Sequence, residues 1–364
     1  MELSSPQKEI YEKDRLTAPQ AQRLAQEIAF APVVFQVSRL MLKFGILPLL
    51  LKEKNGLTLE EISERCRLTR YAAQVLLESS LTIGTVLLQD RRFTISKAGY
   101  FLLNDPMARV NMDFNHDVNY LGLFDLEEAL LEGKPAGLRV FGNWTTIYEG
   151  LSQLPPQVQK SWFGFDHFYS DNAFSQALDI IFNPHPRTLL DVGGNTGRFA
   201  SRCVAYDPDI KVTVMDLPQQ LELMKEAASL SPGADRISGY PADLLDSGVP
   251  FPENYGAIWM SQFLDCFSEE QVVSILSRAA ASMNSESSLY IMETLWDRQK
   301  FETASYCLAQ ISVYFTAMAN GNSKMFYSGD LIRLIHQAGL ELVACHDHLG
   351  LGHSLLHCKL KLHE

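Results

Sequence analysis

The stretch from Arg187 to Ala200, "RTLLDVGGNTGRFA", constrains the fold of this chain more than any other. An apolar run too short for a helix meets Asp191, and Gly193, Gly194 and Gly197 follow before a helical pattern resumes. A strand that turns through glycines into a helix opens many nucleotide-binding sheets. The alternation then continues. "KVTVMD", "RISGY", "YGAIWM" and "SLYIMET" read as strands separated by helical stretches, and "LELVACHD" and "HSLLHCKL" close the chain as two adjacent strands. Regular βα alternation predicts an α/β fold over residues 181–364, a parallel doubly wound, Rossmann-like sheet with a closing β-hairpin.

The glycine turn alone does not name its ligand. No Gly-Lys-Ser/Thr follows, so it is not a P-loop. The strand-end carboxylates are more informative. Asp191 sits two residues before Gly193, where a carboxylate suits the ammonium of a methionine moiety and repels a pyrophosphate. Asp216 ends the second strand, placed to accept ribose hydroxyls, and Asp243 in "GYPADLL" follows the third, placed for an adenine amino group. Asp216 and Asp243 can also be simple turn caps. The three together favour a cationic nucleoside, S-adenosylmethionine (SAM). Gly193, Gly194 and Gly197 let the backbone approach it, with Leu217, Leu244 and Ser261 beside the carboxylates.

With 364 residues, the chain has room for a second core ahead of the sheet. Residues 1–105 read as helices followed by a short hairpin ("TVLLQ", "RFTIS"), the order of a winged helix, and residues 106–180 as an aromatic-rich helical bridge over a cavity. The helix that would enter a DNA groove, "TRYAAQVLLESS", offers Arg70 against Glu78, and the wing adds only Arg91, Arg92 and Lys97. Net charge is −12, which opposes phosphate neutralisation. The module reads as a packing or dimerisation unit with no nucleic-acid role. No run approaches the ~18–20 apolar residues of a membrane span, and the polar start "MELSSPQKEIYEKDRL" is unlike a secretory signal. Six scattered cysteines without a CxxC pair read as reduced thiols, and a cytoplasmic location is expected.

The winged-helix-like front, the aromatic bridge and "LLDVGGNTG…VTVMDLP…GYPADLL" together resemble the small-molecule O-methyltransferases of the caffeate, acetylserotonin and polyketide-tailoring type. The resemblance implies a class I methyltransferase sheet, SAM as cofactor, a homodimer formed through the front domain, and an acceptor cavity between bridge and sheet. In that family "LHDW" usually follows the fourth strand, and its histidine deprotonates the acceptor hydroxyl. Here the text is "SQFLDCFSEEQ": Asp265 stands in the histidine's place, Cys266 in the aspartate's and Phe267 in the tryptophan's. Glu293 in "YIMET" matches the glutamate that orients the histidine, whereas Met325 in "NSKMFY" replaces a second one.

An ordinary aspartate near ~3.9 is a weak base for a phenol near ~10. Asp265 therefore serves as base only with a raised pKa, which burial and nearby Glu293 can supply. Otherwise the acceptor arrives already anionic, or Asp265 only binds an amine or hydroxyl. His167 in "FDHFYS" is a candidate surrogate base or a packed residue, and His116 lies where the partner's bridge would approach the cavity. Tyr169, Tyr314 and Met318 are candidate acceptor contacts or plain core. The tail histidines His346, His348, His353 and His357 read as surface strand residues, and no metal is expected. The main reading is O-methylation of a small aromatic or polyketide-like acceptor. Its rivals are a non-methylating SAM enzyme (decarboxylation, hydroxylation or cyclisation) and a SAM-sensing winged-helix regulator.

Overall fold

The computed structural model describes residue 3, residues 5–229 and residues 231–361. These form two compact units, one of residues 9–117 and one of the remaining described residues.

In the N-terminal unit, helices Ala18–Ala29, Ala31–Lys43, Ile46–Lys52, Leu59–Arg65 and Arg70–Ile83 precede a hairpin of β1 (Val86–Gln89) and β2 (Arg92–Ile95). The short helix Leu59–Arg65 depends on its cap. Thr58 Oγ1 accepts from the Glu61 N–H while the Glu61 carboxylate accepts from the Thr58 N–H, so two otherwise unpaired donors are satisfied. Gly84 ends Arg70–Ile83 in the left-handed region at φ 91°. Met41, Ile46, Leu47, Leu50, Ile62, Leu77 and Val86 fill the core. The first helices behave differently: Leu24, Ile28, Phe30 and Val33 remain exposed, and Ala18–Ala29 buries no residue.

The larger unit is built on a seven-stranded sheet. Its strands are β3 (Thr188–Val192), β4 (Lys211–Asp216), β5 (Ile237–Pro241), β6 (Ala257–Ser261), β7 (Ser288–Glu293), β8 (Leu340–Leu349) and β9 (His353–Leu360). The order is β5-β4-β3-β6-β7-β9-β8, parallel throughout except that β9 runs antiparallel to both β7 and β8. Consecutive apolar residues on each strand feed opposite layers, as the strand period of two requires. Leu190, Ile258 and Ile291 pack with helices Glu269–Ser282 and Ser328–Gln337. Leu189, Trp259 and Tyr290 pack with helices Phe174–Ile181 and Arg198–Tyr206. Trp259 stacks on Phe199 with centroids 4.3 Å apart and planes at 16°, a contact contributing about 0.5–1.5 kcal/mol beyond burial.

Chain order reverses between β3 and β6, so a crevice opens at their C-terminal ends, where doubly wound sheets bind ligands. Two features differ from the sequence reading. The bridge is divided: helix Pro106–Phe114 belongs with the N-terminal unit and residues from Val118 with the sheet. His353, expected on a surface strand, is fully buried, and burial pushes its imidazole down to about 4. Because β9 is antiparallel to β7, its first residues lie beside the end of β7 and are covered there. His357 is half-buried, stacked on Tyr290 at 4.7 Å, while His346 and His348 are exposed. Among the described residues no three metal-ligating side chains converge.

Candidate active site

The glycines after β3 fold the turn back over the end of that strand. Gly193 adopts φ 70° and Gly197 φ 72°. At Gly194 the constraint is spatial, since a Cβ there would lie 2.7 Å from both Cγ and Oδ2 of Asp191. The Phe263 ring closes over Gly193, where a Cβ would stand 2.2 Å from Cδ2. Asp191 is 2% exposed and its Oδ2 has no hydrogen-bond partner. Burial first, then the Asp216 charge, push its carboxyl up to about 7, against a hydrogen bond from the Ala200 backbone.

Two more buried polar atoms lack partners across the crevice: Ser261 Oγ, at the end of β6, and Oε1 of Gln262. Gln262 stands at φ 45°, a conformation that non-glycine residues adopt at a cost and that often marks functional turns. An unpaired buried polar atom costs ~1–3 kcal/mol, so these neighbouring orphans on adjacent parallel strands indicate a missing donor. Two of them are pure acceptors, suited to an ammonium group and unsuited to a pyrophosphate. The donor set fits the methionine end of SAM.

Asp216 accepts from the Asn195 N–H on Oδ2 (2.8 Å) and from the Leu217 N–H on Oδ1 (2.7 Å). It is therefore a cap, as the bland reading has it, yet each oxygen keeps a lone pair for a ribose hydroxyl. Burial raises its pKa. Asp243 is exposed and accepts from the Leu245 N–H at 3.0 Å. Leu217 is half-buried, and Leu244 is buried with its carbonyl accepting from Arg278 at 2.7 Å.

After β6 the chain forms a short 3-10 turn, Leu264–Cys266. Glu293, the last residue of β7, holds it: Oε1 accepts from the N–H groups of Phe263 (3.1 Å) and Leu264 (2.9 Å). Asn320 Nδ2 donates to the Cys266 carbonyl from the other side. Asp265 is thereby fixed at 3% exposure, with the Cys266 thiol 3.6 Å from its Oδ1. Burial pushes Asp265 up to about 7, helped by the Asp166 charge, and pushes Glu293 well up, helped by Asp265. The two titrate together, and their shared burial keeps a proton on the pair at neutral pH. Around them stand phenols. Tyr314 accepts a hydrogen bond from Trp162 Nε1 at 2.7 Å, and burial raises the pKa of both Tyr148 and Tyr314.

The remaining sequence candidates fall in several places. His167 stacks on Phe163 at 6.0 Å, with Nδ1 3.7 Å from Asp166, and burial lowers its pKa. Tyr169 is buried against Phe165 and Phe168. Met318 is fully buried, its sulfur so near Gly122 that a Cβ there would lie 2.0 Å away. The Met325 sulfur accepts from Thr294 Oγ1 at 3.4 Å. His116 belongs to the N-terminal unit, where its Nδ1 lies 2.8 Å from Asp117.

Sequence reasoning missed Asp166, Tyr148 and Asn320. Trp162, Asp166 and Tyr169 recur at helical spacing on one face of helix Pro156–Ser170, a signal that favours Asp166 over its neighbour His167. Tyr148 lies in the four-residue helix Ile147–Gly150 and Asn320 directly after the π-helical turn Phe315–Ala319, neither within a motif.

Residues 22–93 match the Dimerisation2-like domain, and residues 172–341 match the O-methyltransferase domain. The L-tyrosine C(3)-methyltransferase of Streptomyces lavendulae is 24% identical over 284 residues, spanning 77% of this chain and 76% of that protein. The crystal structure of the S-adenosylmethionine-dependent methyltransferase SibL in its apo form aligns with a TM-score of 0.71 at 22% identity, covering 92% of this chain and 98% of SibL. Human N-acetylserotonin methyltransferase, in complex with SAM, aligns with a TM-score of 0.63 at 15% identity, covering 97% and 99%. The dimerisation-like front and the O-methyltransferase domain, in this order, support a SAM-dependent O-methyltransferase.

Proposed function

We propose that this enzyme methylates a hydroxyl of a small, largely apolar aromatic acceptor, with Asp265 replacing a histidine as the proton acceptor. The observation that carries the reading is the buried Asp265, held in the Leu264–Cys266 turn that follows β6, the strand that ends in Ser261. SAM, when bound, supplies a methyl group on a sulfonium, open to in-line displacement. Asp191, Gly193, Gly194, Gly197, Asp216, Leu217, Asp243, Leu244 and Ser261 would hold it, and Gln262 adds an acceptor. Tyr148, Trp162 and Tyr314 provide aromatic walls for the acceptor, and holding the two reactants aligned is worth ~7–11 kcal/mol. Asp265 takes the hydroxyl proton. Glu293 touches no reacting atom in this scheme. It is a positioning residue that fixes the Leu264–Cys266 turn and titrates together with Asp265.

Titration calorimetry with S-adenosylhomocysteine (SAH), together with mass spectrometry of the product, tests the assignment. SAH binding and a product heavier by one CH2 group are expected. A product without that gain would point to the non-methylating chemistry instead.

Glu293→Gln isolates the positioning role. The amide oxygen still accepts from Phe263 and Leu264, but the carboxyl that shares a proton with Asp265 is gone. The rising limb of the kcat–pH profile should therefore move to lower pH by about one unit, with KM for SAM little changed. An unmoved profile would show that Glu293 does not act on Asp265.

The exposed Leu24, Ile28, Phe30 and Val33 support assembly as a homodimer through the N-terminal domain. The six free cysteines and the lack of any single described helix long and apolar enough to cross a membrane are compatible with work in the cytoplasm.

A further inference from the structure

We infer that Asn320 is a positioning residue that fixes Asp265 for proton transfer, by clamping the turn that carries this carboxyl to the loop that follows helix Glu302–Tyr314. The inference rests on the proposed methyl transfer and adds the group that holds its base in place.

The Leu264–Cys266 turn is gripped at both ends. Glu293 Oε1 takes the N–H groups of Phe263 and Leu264 where the chain enters it. At its exit the Cys266 carbonyl accepts from Asn320 Nδ2. Asp265 lies between the two grips. The Asn320 amide is itself held. Its Oδ1 accepts from the N–H groups of Asn322 and Ser323, both at 3.1 Å, and its Nδ2 donates to Ser323 Oγ at 2.8 Å. Two backbone donors on one side and a carbonyl on the other dictate which end of the amide faces the turn. The position needs an acceptor and a donor on one short side chain. An ionised aspartate has no hydrogen to give, and leucine neither donates nor accepts.

The loop that carries Asn320 is fixed in turn. The N–H groups of Asn320 and Gly321 both donate to the Phe315 carbonyl, at 3.1 and 3.0 Å, and close the π-helical turn Phe315–Ala319. Such turns recur at functional sites. Gly321 stands at φ 87°, where a Cβ would lie 2.3 Å from the Lys134 Cα, so the two backbones touch. Tyr314, the residue before the π-helical turn and a wall of the proposed acceptor cavity, therefore shares one frame with Asp265. Asn320 sets the spacing between the bound hydroxyl and its base, and a misplacement of about 1 Å at such a contact costs on the order of 10²-fold in rate.

The experiment compares wild type with Asn320→Ala, both saturated with SAH, and needs no acceptor. Hydrogen exchange read by mass spectrometry should become about 10-fold faster in residues 263–267, the yield of one lost hydrogen bond. The glycine turn at residues 193–197 should exchange as in wild type. The readout specific to positioning is the acidity of Asp265, followed as the infrared carboxyl band that Asp265→Asn lacks. Burial holds this group at about 7, so a turn released toward water should titrate lower by about one unit. SAH affinity should be unchanged, which reports that the variant is folded. If Asn320→Ala does not bind SAH, Asn320→Asp takes its place at about pH 8, where an aspartate is ionised. It still accepts from Asn322 and Ser323 but has no hydrogen for Cys266, and should show the same faster exchange. Wild-type exchange at residues 263–267 in the variant that binds SAH, or an unmoved Asp265 titration in Asn320→Ala, would overturn the inference and leave methyl transfer standing. Loss of SAH binding in both variants would assign Asn320 to the whole fold and overturn it as well. Absence of SAH binding by the wild-type protein would instead overturn the proposed function beneath it.

Discussion

Asp265→Asn is expected to lower kcat by about 10²- to 10⁴-fold, the usual contribution of a general base, while SAH still raises the Tm of the variant. Asparagine has the shape of the residue it replaces, and its amide oxygen can still accept from the Cys266 thiol. What it loses is the ability to take a proton. An ordinary aspartate would face an uphill transfer of about 6 units, some 8 kcal/mol, from a phenol near ~10. With burial holding Asp265 at about 7, the deficit shrinks to about 3 units, roughly 4 kcal/mol. The same burial dictates the pH dependence. The base must be ionised, so wild-type kcat should climb with pH through about 7 and level off above it. The variant should show a flat profile over that range. A loss of only a few-fold, with the profile intact, would mean that the proton leaves by another route.

The sequence disclosed the sheet and its ligand edge because both follow from local rules. Five apolar runs with helices between them can pack only as a wound sheet, and the glycines at 193 and 197 mark where the chain needs φ near +70°. Asp191, Asp216 and Asp243 were identifiable as strand-end carboxylates, although only geometry reveals that Asp216 is held by two backbone N–H groups while Asp191 has a free oxygen. The acceptor side was less legible. Asp265 stood out as a residue in another's place, but its altered acidity comes from burial and the Asp166 charge, and no local pattern encodes that. The histidine at 167 drew attention by its type, whereas helical phase puts Asp166 on the face with Trp162. His353 was misread because strand alternation cannot show that the first residue of β9 lies covered beside the end of β7.

Asp191→Asn should have opposite effects on the free and the liganded protein. Asp191 has a folded-state pKa of about 7 against an ordinary value of 3.8. Between those values the unfolded chain has given up a proton that the folded chain retains, so this residue's contribution to stability is full below the unfolded value. It is lost as pH rises through about 7, by an amount on the order of 4 kcal/mol at most. Asparagine carries no such penalty. Without cofactor, the variant should melt several degrees above wild type at about pH 8, with the gap narrowing toward about pH 5. With cofactor the order should reverse. Removing one member of a buried charge pair typically costs ~2–5 kcal/mol, so SAH affinity should fall at least ~30-fold and the Tm rise that SAH gives wild type should disappear. In wild type, SAH affinity should also weaken as pH drops below about 7, because protonating Asp191 removes the charge that receives the ammonium. If Asp191 served only to cap the turn through the Ala200 N–H, the substitution would lower the Tm of the free protein and leave SAH binding nearly unchanged. Two melting curves per protein, with and without SAH, separate a carboxylate kept in reserve for a cation from one that merely holds the loop.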